Sequence, residues 1–352
     1  MKPSFCAIAS QQANEDLIGT AGHYQTYVLI ECPMPWAAKV FNSKAIPPAL
    51  RRYIKATKSD RSAQFLAIDR GRSQSAVVSD SVTLLVYERT VPSAVETNRS
   101  KAPGHESVSG YRGYEFQLDS LTQVIDCLEA HWQGDRIGQP ITQQDLLVCT
   151  HGMRDKCCAR FGQPFFREAT RSAKQGNLPN TRVWQVSHIG GHRFAPTAIS
   201  LPDGRYYGRL TLSQLQSIIT RSGSVEDVVR SIYRGWGLLP APLQVLERQL
   251  LIQNGWSWFD CKVTYRILSD PSSKGEASNA KSSQHELFVE IASHHPETKK
   301  TKTYWAKLRQ DIQDTVCVKA SCSSAVATPF VKYTVAECVL VNYPQHKTVS
   351  VK

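Results

Sequence analysis

The chain has 352 residues, of which 41% are hydrophobic and 20% charged, a composition typical of a globular protein that can bury at least one core. It contains no run of about eighteen apolar residues, and the apolar stretch near its start is too short for a signal peptide. These features argue against a membrane-spanning or secreted protein, so we expect a cytoplasmic location without membrane binding. The formal net charge of +12 predicts an acidic partner.

Residues 1–115 predict an N-terminal α/β region. Apolar stretches at 26–32, 64–69 and 82–88 predict strands, and the segment 46–57 predicts a helix whose two prolines suit its first turn. Strands and a helix in one short region are typical of a mixed α/β layer.

Residues 116–240 alternate between strand and helix patterns. In chain order, the predicted elements are a strand at 114–118, a helix at 121–132, a strand at 145–150, a helix at 159–175, strands at 181–187 and 205–210, and a helix at 212–222 capped by Thr211. The later part of this series, strand, helix, strand, strand and helix, is typical of a thioredoxin-like α/β layer. No internal repeat is visible in the sequence.

Residues 241–352 predict a helix at 242–253 followed by a β-rich extension of unknown role. The Ser- and Lys-rich stretch 270–284 predicts a flexible linker between the first two strands of this extension. In the basic stretch 299–309, Lys and Arg alternate with Thr, Tyr and Trp. This alternation favours a solvated edge strand protected by lysines over a nucleic-acid-binding patch.

Ten cysteines are scattered along the chain, and only one group of them is dense enough to suggest chemistry. In the stretch CTHGMRDKCCARFG, Cys149 ends an apolar predicted strand, and Cys157 and Cys158 begin the helix that follows. A helix N-terminus with basic neighbours lowers the pKa of a thiol and so favours the thiolate that binds metals. The next predicted strand leads into VSHIGGHRF, which adds His188 and His192.

The two glycines between these histidines bear on their geometry. Histidines at i and i+4 would share one face of a helix, but two adjacent glycines cost about 2 kcal/mol of helix propensity, so Gly190 and Gly191 predict a loop. Glycine permits positive φ and lets backbone N–H groups turn towards an anionic group. We therefore expect a glycine-bent loop that presents both histidines, and we expect a side chain at either glycine to crowd a metal cluster bound there.

Two cysteines and two histidines suit two kinds of metal site. Zn2+ binds mixed Cys and His ligands tetrahedrally, although the eight residues between Cys149 and Cys158 exceed the usual spacing of a first zinc-finger pair. A [2Fe-2S] cluster takes its ligands in two pairs, and a His pair raises its reduction potential. His151 is a further candidate, for which a surface or hydrogen-bonding role is favoured, and the adjacent thiols of Cys157 and Cys158 are candidates for thiol redox chemistry.

At these residues the sequence resembles the sucrase/ferredoxin-like family. CTHGMRDKCC and VSHIGGHRFAPT look like the two family signatures, and EDLIGTAGHYQTYVLIECPMPW looks like the opening segment, so the resemblance covers approximately residues 5–240. It implies a thioredoxin-like [2Fe-2S] ferredoxin domain with the ligands Cys149, Cys158, His188 and His192, and it leaves the cysteine beside Cys158 as a bystander. The expected fold is α/β, with this domain between an N-terminal α/β segment and a C-terminal β-rich extension.

We accordingly predict an electron-transfer protein that carries a [2Fe-2S] cluster on these two cysteines and two histidines and exchanges electrons with a separate acidic redox partner. Neutral histidine ligands can couple reduction to protonation. Two alternatives stay open: a zinc-stabilised interaction module with the same ligands, and a thiol-dependent reductase that uses Cys157 or Cys158. No glycosidase-like acidic pair, P-loop or dinucleotide-binding motif is visible, so an electron carrier is favoured over a stand-alone enzyme. The sequence leaves the oligomeric state open.

Overall fold

The computed structural model describes residues 5–71, 81–90, 106–268 and 286–341, and it shows the mixed α/β protein expected from the sequence. The predicted linker 270–284 lies outside the described residues. Within these ranges the α-helices are α1 (Cys6–Gln12), α2 (Pro48–Asp60), α3 (Val124–Gln133), α4 (Lys156–Lys174), α5 (Leu212–Thr220), α6 (Val225–Ile232) and α7 (Ala241–Asn254). No helix in this part of the chain is both long and apolar enough to cross a membrane.

The strands form two sheets. They are β1 (Thr26–Glu31), β2 (Ala63–Asp69), β3 (Val82–Arg89), β4 (Glu106–Val108), β5 (Tyr111–Leu118), β6 (Gln139–Pro140), β7 (Gln144–Cys149), β8 (Thr181–Val186), β9 (Ala198–Leu201), β10 (Arg205–Tyr207), β11 (Tyr233–Trp236), β12 (Lys262–Leu268), β13 (Glu286–His294), β14 (Thr301–Lys319) and β15 (Ala327–Val341). Ten of them form a large sheet in the order β11-β10-β9-β7-β8-β2-β1-β3-β5-β6, and five form a small sheet in the order β15-β14-β13-β12-β4. The predicted helix after Thr211 is confirmed with its cap, whereas β9 has no counterpart among the predicted strands.

The large sheet consists of two units with the same topology. In the first unit, β1 pairs in parallel with β2 and antiparallel with β3, and β3 pairs antiparallel with β5. In the second unit, β7 pairs in parallel with β8 and antiparallel with β9, and β9 pairs antiparallel with β10. A helix connects each parallel pair, as such pairs require, and another helix follows the last strand of each unit. A short antiparallel pairing of β2 with β8 joins the two units.

Both faces of the large sheet are covered, which explains the apolar runs of its central strands. In β1, Val28 and Ile30 pack into a core that includes residues of α2 and α3, whereas Tyr27 and Leu29 belong to the larger core. Alternate side chains of a strand point to opposite faces, so a strand covered on both faces is apolar throughout. In β7 every residue after the first is also buried: Leu146 to Cys149 are apolar, and the buried Asp145 accepts hydrogen bonds from Arg182 and Trp184. This burial fixes the strand end at which the candidate site begins.

The predicted boundary between residues 115 and 116 lies inside β5, which pairs with β3 along its whole length. The large sheet therefore contains strands from the first two predicted regions, and the division of the chain at 115 and 240 stays a prediction. The part of the chain after α7 is rich in β-strands. The expectation of an edge strand in the basic stretch 299–309 is wrong, because β14 pairs with β13 on one side and with β15 on the other.

A buried ion pair joins the large sheet to α7. Arg205 on β10 donates from Nη1 to Oε1 of Glu247 at 2.7 Å, and Nε1 of Trp258 donates to the same oxygen at 3.0 Å. Both charged side chains are almost fully buried. A buried charge has lost its hydration, so removing one partner leaves the other as an uncompensated buried charge and lowers the free energy of unfolding.

We therefore expect Glu247→Ala to lower the free energy of unfolding by about 3–5 kcal/mol, because it leaves the Arg205 guanidinium buried and unpaired. Urea denaturation followed by fluorescence measures the change. The matched control is Glu226→Ala, which breaks the exposed pair of Glu226 with Arg230 on α6 and should cost only about 0.3–0.5 kcal/mol. Equal losses in the two variants would contradict the assignment of a buried pair that stabilises the fold.

Candidate metal centre

The end of β7 and the start of α4 bring two of the predicted cysteine ligands together. Cys149 is the last residue of β7 and is buried, and Cys158 lies in the first turn of α4. The helix packs tightly against the strand end at Gly162, where an added Cβ would collide with the carbonyl oxygen of Cys149. The absence of a side chain at Gly162 is therefore what allows the helix to approach this strand end.

The loop after β8 carries the two histidines, as the sequence predicts. Gly190 and Gly191 have φ values of 78° and 69°, in the left-handed region that favours glycine, and a short 3-10 helix begins at His192. A Cβ at Gly191 would lie 2.5 Å from the guanidinium of Arg234, whereas one at Gly190 would have no described atom within 4 Å. The expected crowding of a bound cluster stays a prediction. Gly190 and Gly191 allow the left-handed backbone of this loop, and Gly191 also leaves room for the guanidinium of Arg234.

Three of the four predicted ligands converge. The side-chain donor atoms of Cys149, Cys158 and His188 all lie within 4.8 Å of one another. Nδ1 of His188 is 3.7 Å from Sγ of Cys158. The fourth residue, His192, lies beside them with its ring centroid 5.2 Å from that of His188. Its Nδ1 contacts Cys6 and Asp155 instead.

The two thiols of this group differ in their proton affinity. A hydrogen bond from Cys158 holds the pKa of Cys149 well below its usual range, although burial raises it, and a hydrogen bond from His188 acts in the same direction. The hydrogen bond to Cys149, followed by burial, raises the pKa of Cys158 far above its usual range. The hydrogen bond that the two thiols share thus favours the thiolate at Cys149 over the thiolate at Cys158.

His151 supports this arrangement and is not one of the converging donors. Its Nδ1 accepts a hydrogen bond from the backbone N–H of His188 at 3.3 Å, so its Nε2 carries the proton and donates to the carbonyl oxygen of Ala37 at 2.9 Å. Burial lowers the pKa of this imidazole and keeps it neutral. The hydrogen-bonding role favoured for His151 in the sequence is the one that the structure gives it.

Asp155 connects the centre to its surroundings. It caps α4 by accepting a hydrogen bond from the backbone N–H of Cys157 at 2.9 Å on Oδ1, and it accepts another from the backbone N–H of Cys322 at 2.9 Å on Oδ2. Although burial raises its pKa, these hydrogen bonds hold the pKa of Asp155 below its usual range. Its Oδ2 also lies 3.3 Å from Nδ1 of His192, so the carboxylate orients that ring.

A second set of sulfur atoms lies next to the first. We call it the three-thiol group: Cys6 from α1, Cys157 from α4 and Cys322 from the connection between β14 and β15. Hydrogen bonds from Cys6 and from the backbone N–H of Ala7 lower the pKa of Cys157 to about 7, against the effect of burial. Adjacent residues of a helix do not face the same neighbour, so Cys157 and Cys158 serve different groups.

Two arginines pack against the histidine loop. Arg234 is fully buried and donates to the carbonyl oxygens of Gly190 at 3.2 Å and of Thr20 at 2.6 Å. Burial lowers its pKa to about 10, and the charge of Cys149 raises it in part compensation. Arg193 forms an ion pair with the buried Glu15 at 2.8 Å.

Sequence reasoning missed four residues that the structure brings to this region: Cys6, Cys322, Arg234 and Glu15. None of them lies near the two motifs in the chain, and an isolated cysteine in a sequence is ordinarily a small buried hydrophobe. Asp155 was visible within the first motif, and its place directly before a predicted helix is the signal of an N-cap.

Comparison with known proteins gives one family and three curated relatives. A model of the sucrase/ferredoxin-like family matches residues 17–235, more than half of the chain. The relatives, each named altered inheritance of mitochondria protein 32, come from Meyerozyma guilliermondii (30% identical over 102 residues), Debaryomyces hansenii (29% over 112) and Clavispora lusitaniae (31% over 99). The matches cover 28%, 30% and 27% of this chain and only 36%, 41% and 36% of the relatives' own length. No solved structure gives a significant match.

These relatives contradict the predicted function. Their shared name refers to the inheritance of mitochondria and not to electron transfer, so the prediction of a [2Fe-2S] electron carrier is wrong as a function on this comparison. The physical reason is that a ligand set limits what a site can bind but does not specify what the bound group is used for. The comparison does not test which group the cysteine and histidine centre binds. Cys157 and Cys158 belong to separate groups, so the structure does not support them as one adjacent redox pair.

We expect Gly162→Ala to lower the free energy of unfolding by about 1–3 kcal/mol, because the new Cβ collides with the backbone of Cys149 and forces α4 away from β7. Helix propensity alone predicts the opposite sign, a gain of about 0.5–1 kcal/mol. Chemical denaturation of the variant decides between them. Arg167→Ala, at an exposed position of the same helix, is the control and should change stability by less than about 0.5 kcal/mol.

Proposed function

Because the chain belongs to the sucrase/ferredoxin-like family, we propose that it is a metal-binding protein whose cysteine and histidine centre stabilises the second unit of the large sheet. We further propose that it serves the inheritance of mitochondria, as the name of its relatives suggests. The proposal assigns binding to the centre and gives the bound group no electron-transfer role.

The convergence of three donors carries this proposal. Cys149, Cys158 and His188 come from a strand, a helix and a loop, and their donor atoms lie within 4.8 Å of one another at the meeting point of β7, α4 and the loop after β8. Thiolate sulfur and imidazole nitrogen are the ligands that zinc and iron–sulfur clusters take from proteins. Three such side chains brought together and largely buried fit a metal centre better than an ordinary apolar core.

His192 is the fourth ligand of the proposed centre. Its Nδ1 lies 3.3 Å from the carboxylate of Asp155, an interaction that places the ring proton on Nδ1 and leaves Nε2 as the nitrogen available to a metal. Metal-ligating histidines commonly donate their other ring N–H to a carboxylate in this way. Burial lowers the pKa of His192, which favours the neutral imidazole that a metal requires.

Side chains in and around the centre favour the form of its ligands that binds a metal. Cys149 holds the thiolate at the fixed end of a buried strand, and His151 fixes the backbone of His188 by accepting its N–H. Arg234 supplies a buried positive charge beneath the histidine loop, which favours the anionic form of Cys149. A bound metal cross-links the three chain segments and adds its binding free energy to the stability of the fold.

The cofactor expected from the sequence, a [2Fe-2S] cluster with Zn2+ as the alternative, stays a prediction for this centre. The thioredoxin-like topology of the second unit is likewise a proposal. The order β8-β7-β9-β10, with α4 between the parallel strands and α5 after the last one, supports it. The first unit has the same order in β2-β1-β3-β5, which extends the proposal to both units.

We expect the full chain, purified without oxygen, to contain a metal centre that Cys149→Ser abolishes, because this substitution removes the buried thiolate. Metal and acid-labile sulfide are measured for both proteins: iron with sulfide identifies a cluster, and zinc without sulfide identifies a single ion. Chelation should lower the melting temperature of the wild type by more than it lowers that of Cys149→Ser, because the variant has lost the metal bound at this centre.

The matched control is Cys127→Ser, which alters a buried cysteine of α3 that belongs to the other core. It should retain the full metal content. A wild-type protein with the same metal content as Cys149→Ser, or one whose melting temperature does not respond to chelation, would contradict the proposed centre.

The proposed cellular role predicts a genetic result. In a yeast strain that lacks altered inheritance of mitochondria protein 32, we expect expression of this chain to raise the fraction of daughter cells that receive normal mitochondria, and Cys149→Ser to give a smaller increase. Microscopy of labelled mitochondria measures this fraction, and cell fractionation of the same strain distinguishes a mitochondrial location from the cytoplasmic one expected from the sequence. No difference between the wild-type chain and an empty vector would refute the role.

The acidic partner expected from the net charge also stays a prediction.

A further inference from the structure

The three-thiol group has the shape of a metal-binding triangle. Its Sγ atoms are separated by 3.5 Å between Cys6 and Cys157, 3.2 Å between Cys157 and Cys322, and 3.6 Å between Cys322 and Cys6. Three thiolates around one tetrahedral Zn2+ lie about 3.8 Å apart, because each Zn–S bond is about 2.3 Å. A shift of a few tenths of an ångström in each sulfur would therefore seat the ion.

Asp155 supplies a fourth donor to this group. A carboxylate oxygen of Asp155 and the three sulfurs lie within 4.8 Å of one another, and Oδ1 is 3.9 Å from Sγ of Cys6. An ionised carboxylate offers about four acceptor positions, of which the backbone N–H groups of Cys157 and Cys322 and the Nδ1 of His192 occupy three. The remaining position can take a metal, and a carboxylate is an accepted partner of thiolates on zinc.

The three cysteines come from distant parts of the chain. Cys6 and Cys157 are 151 residues apart, and Cys157 and Cys322 are 165 residues apart. We propose that the three-thiol group and Asp155 bind one Zn2+, which ties α1 and the connection between β14 and β15 to the start of α4. This site uses other ligands than the centre of Cys149, Cys158 and His188. The two meet at the adjacent residues Cys157 and Cys158 and at His192, whose Nδ1 lies 3.4 Å from Sγ of Cys6 and 3.3 Å from Oδ2 of Asp155.

A disulfide explains this arrangement less well than a metal does. A disulfide joins two sulfurs and would leave the third thiol of the triangle without a role, whereas all three are at comparable distances from one another. The negative charge of the ligands also has a compensating partner, because the group lies at the N-terminus of the 19-residue helix α4.

Zinc analysis of the purified full chain tests the proposal. The wild type should contain one zinc per chain at this site, and Cys322→Ser should contain one zinc fewer than the wild type. Cys317→Ser is the matched control, since Cys317 is an exposed cysteine only five residues away, and it should keep the wild-type content. Cys322→His, which restores a metal ligand, should recover the zinc.

A second measurement separates the two sites. In Cys149→Ser the first centre is removed, and Co2+ added to that variant should show intense thiolate-to-metal absorption that the double variant Cys149→Ser/Cys322→Ser lacks. This result would hold even if the first centre bound nothing, so the two proposals can fail independently. Equal zinc in wild type and Cys322→Ser would overturn the present proposal. So would a disulfide between two of the three cysteines in protein isolated without oxygen, detected by thiol counting before and after reduction.

Discussion

A single carboxylate, Asp155, holds the functional region of this protein together. It caps α4 through the N–H of Cys157, fixes the distant connection between β14 and β15 through the N–H of Cys322, and lies against the ring of His192. Each of these contacts needs an ionised, buried acceptor, and together they hold the pKa of Asp155 below its usual range despite burial. The start of α4 thus becomes the fixed point around which both sulfur groups are assembled.

The duplicated topology explains why the centre occurs where it does. The two units of the large sheet have the same strand order, but only the second carries a cysteine at the end of its first strand, a cysteine in the following helical turn and two histidines after its second strand. In the first unit the corresponding strand ends at Glu31, followed by Cys32, and its helix begins at Pro48. The shared backbone frame provides a strand end beside a helix start in both units, and the side chains decide which of them can bind a metal.

Local pattern was sufficient to predict the strand, the helix and the glycine-bent loop that carry Cys149, Cys158 and His188, because each is encoded within a few residues of them, although the pattern missed β9. It was not sufficient where distant segments pair. The neighbours of β14 come from both sides of it in the chain, so its interior position in the small sheet could not be inferred from alternating lysines. For the same reason Cys6 and Cys322 gave no signal, and the use of the bound group lay beyond what a ligand set specifies.

The adjacent cysteines at the start of α4 acquire a physical explanation from this geometry. Successive residues of a helix are about 100° apart around its axis, so two neighbouring thiols cannot both point at one compact site without distorting the turn. Cys158 faces the end of β7 and Cys157 faces α1, which means that a pair resembling a vicinal redox motif in the sequence is divided between two groups in the fold. A change at either cysteine should therefore affect one group directly and the other through the start of α4 and through the contacts of His192 with Cys6 and Asp155. Because the two sites use different cysteines, they can be tested independently.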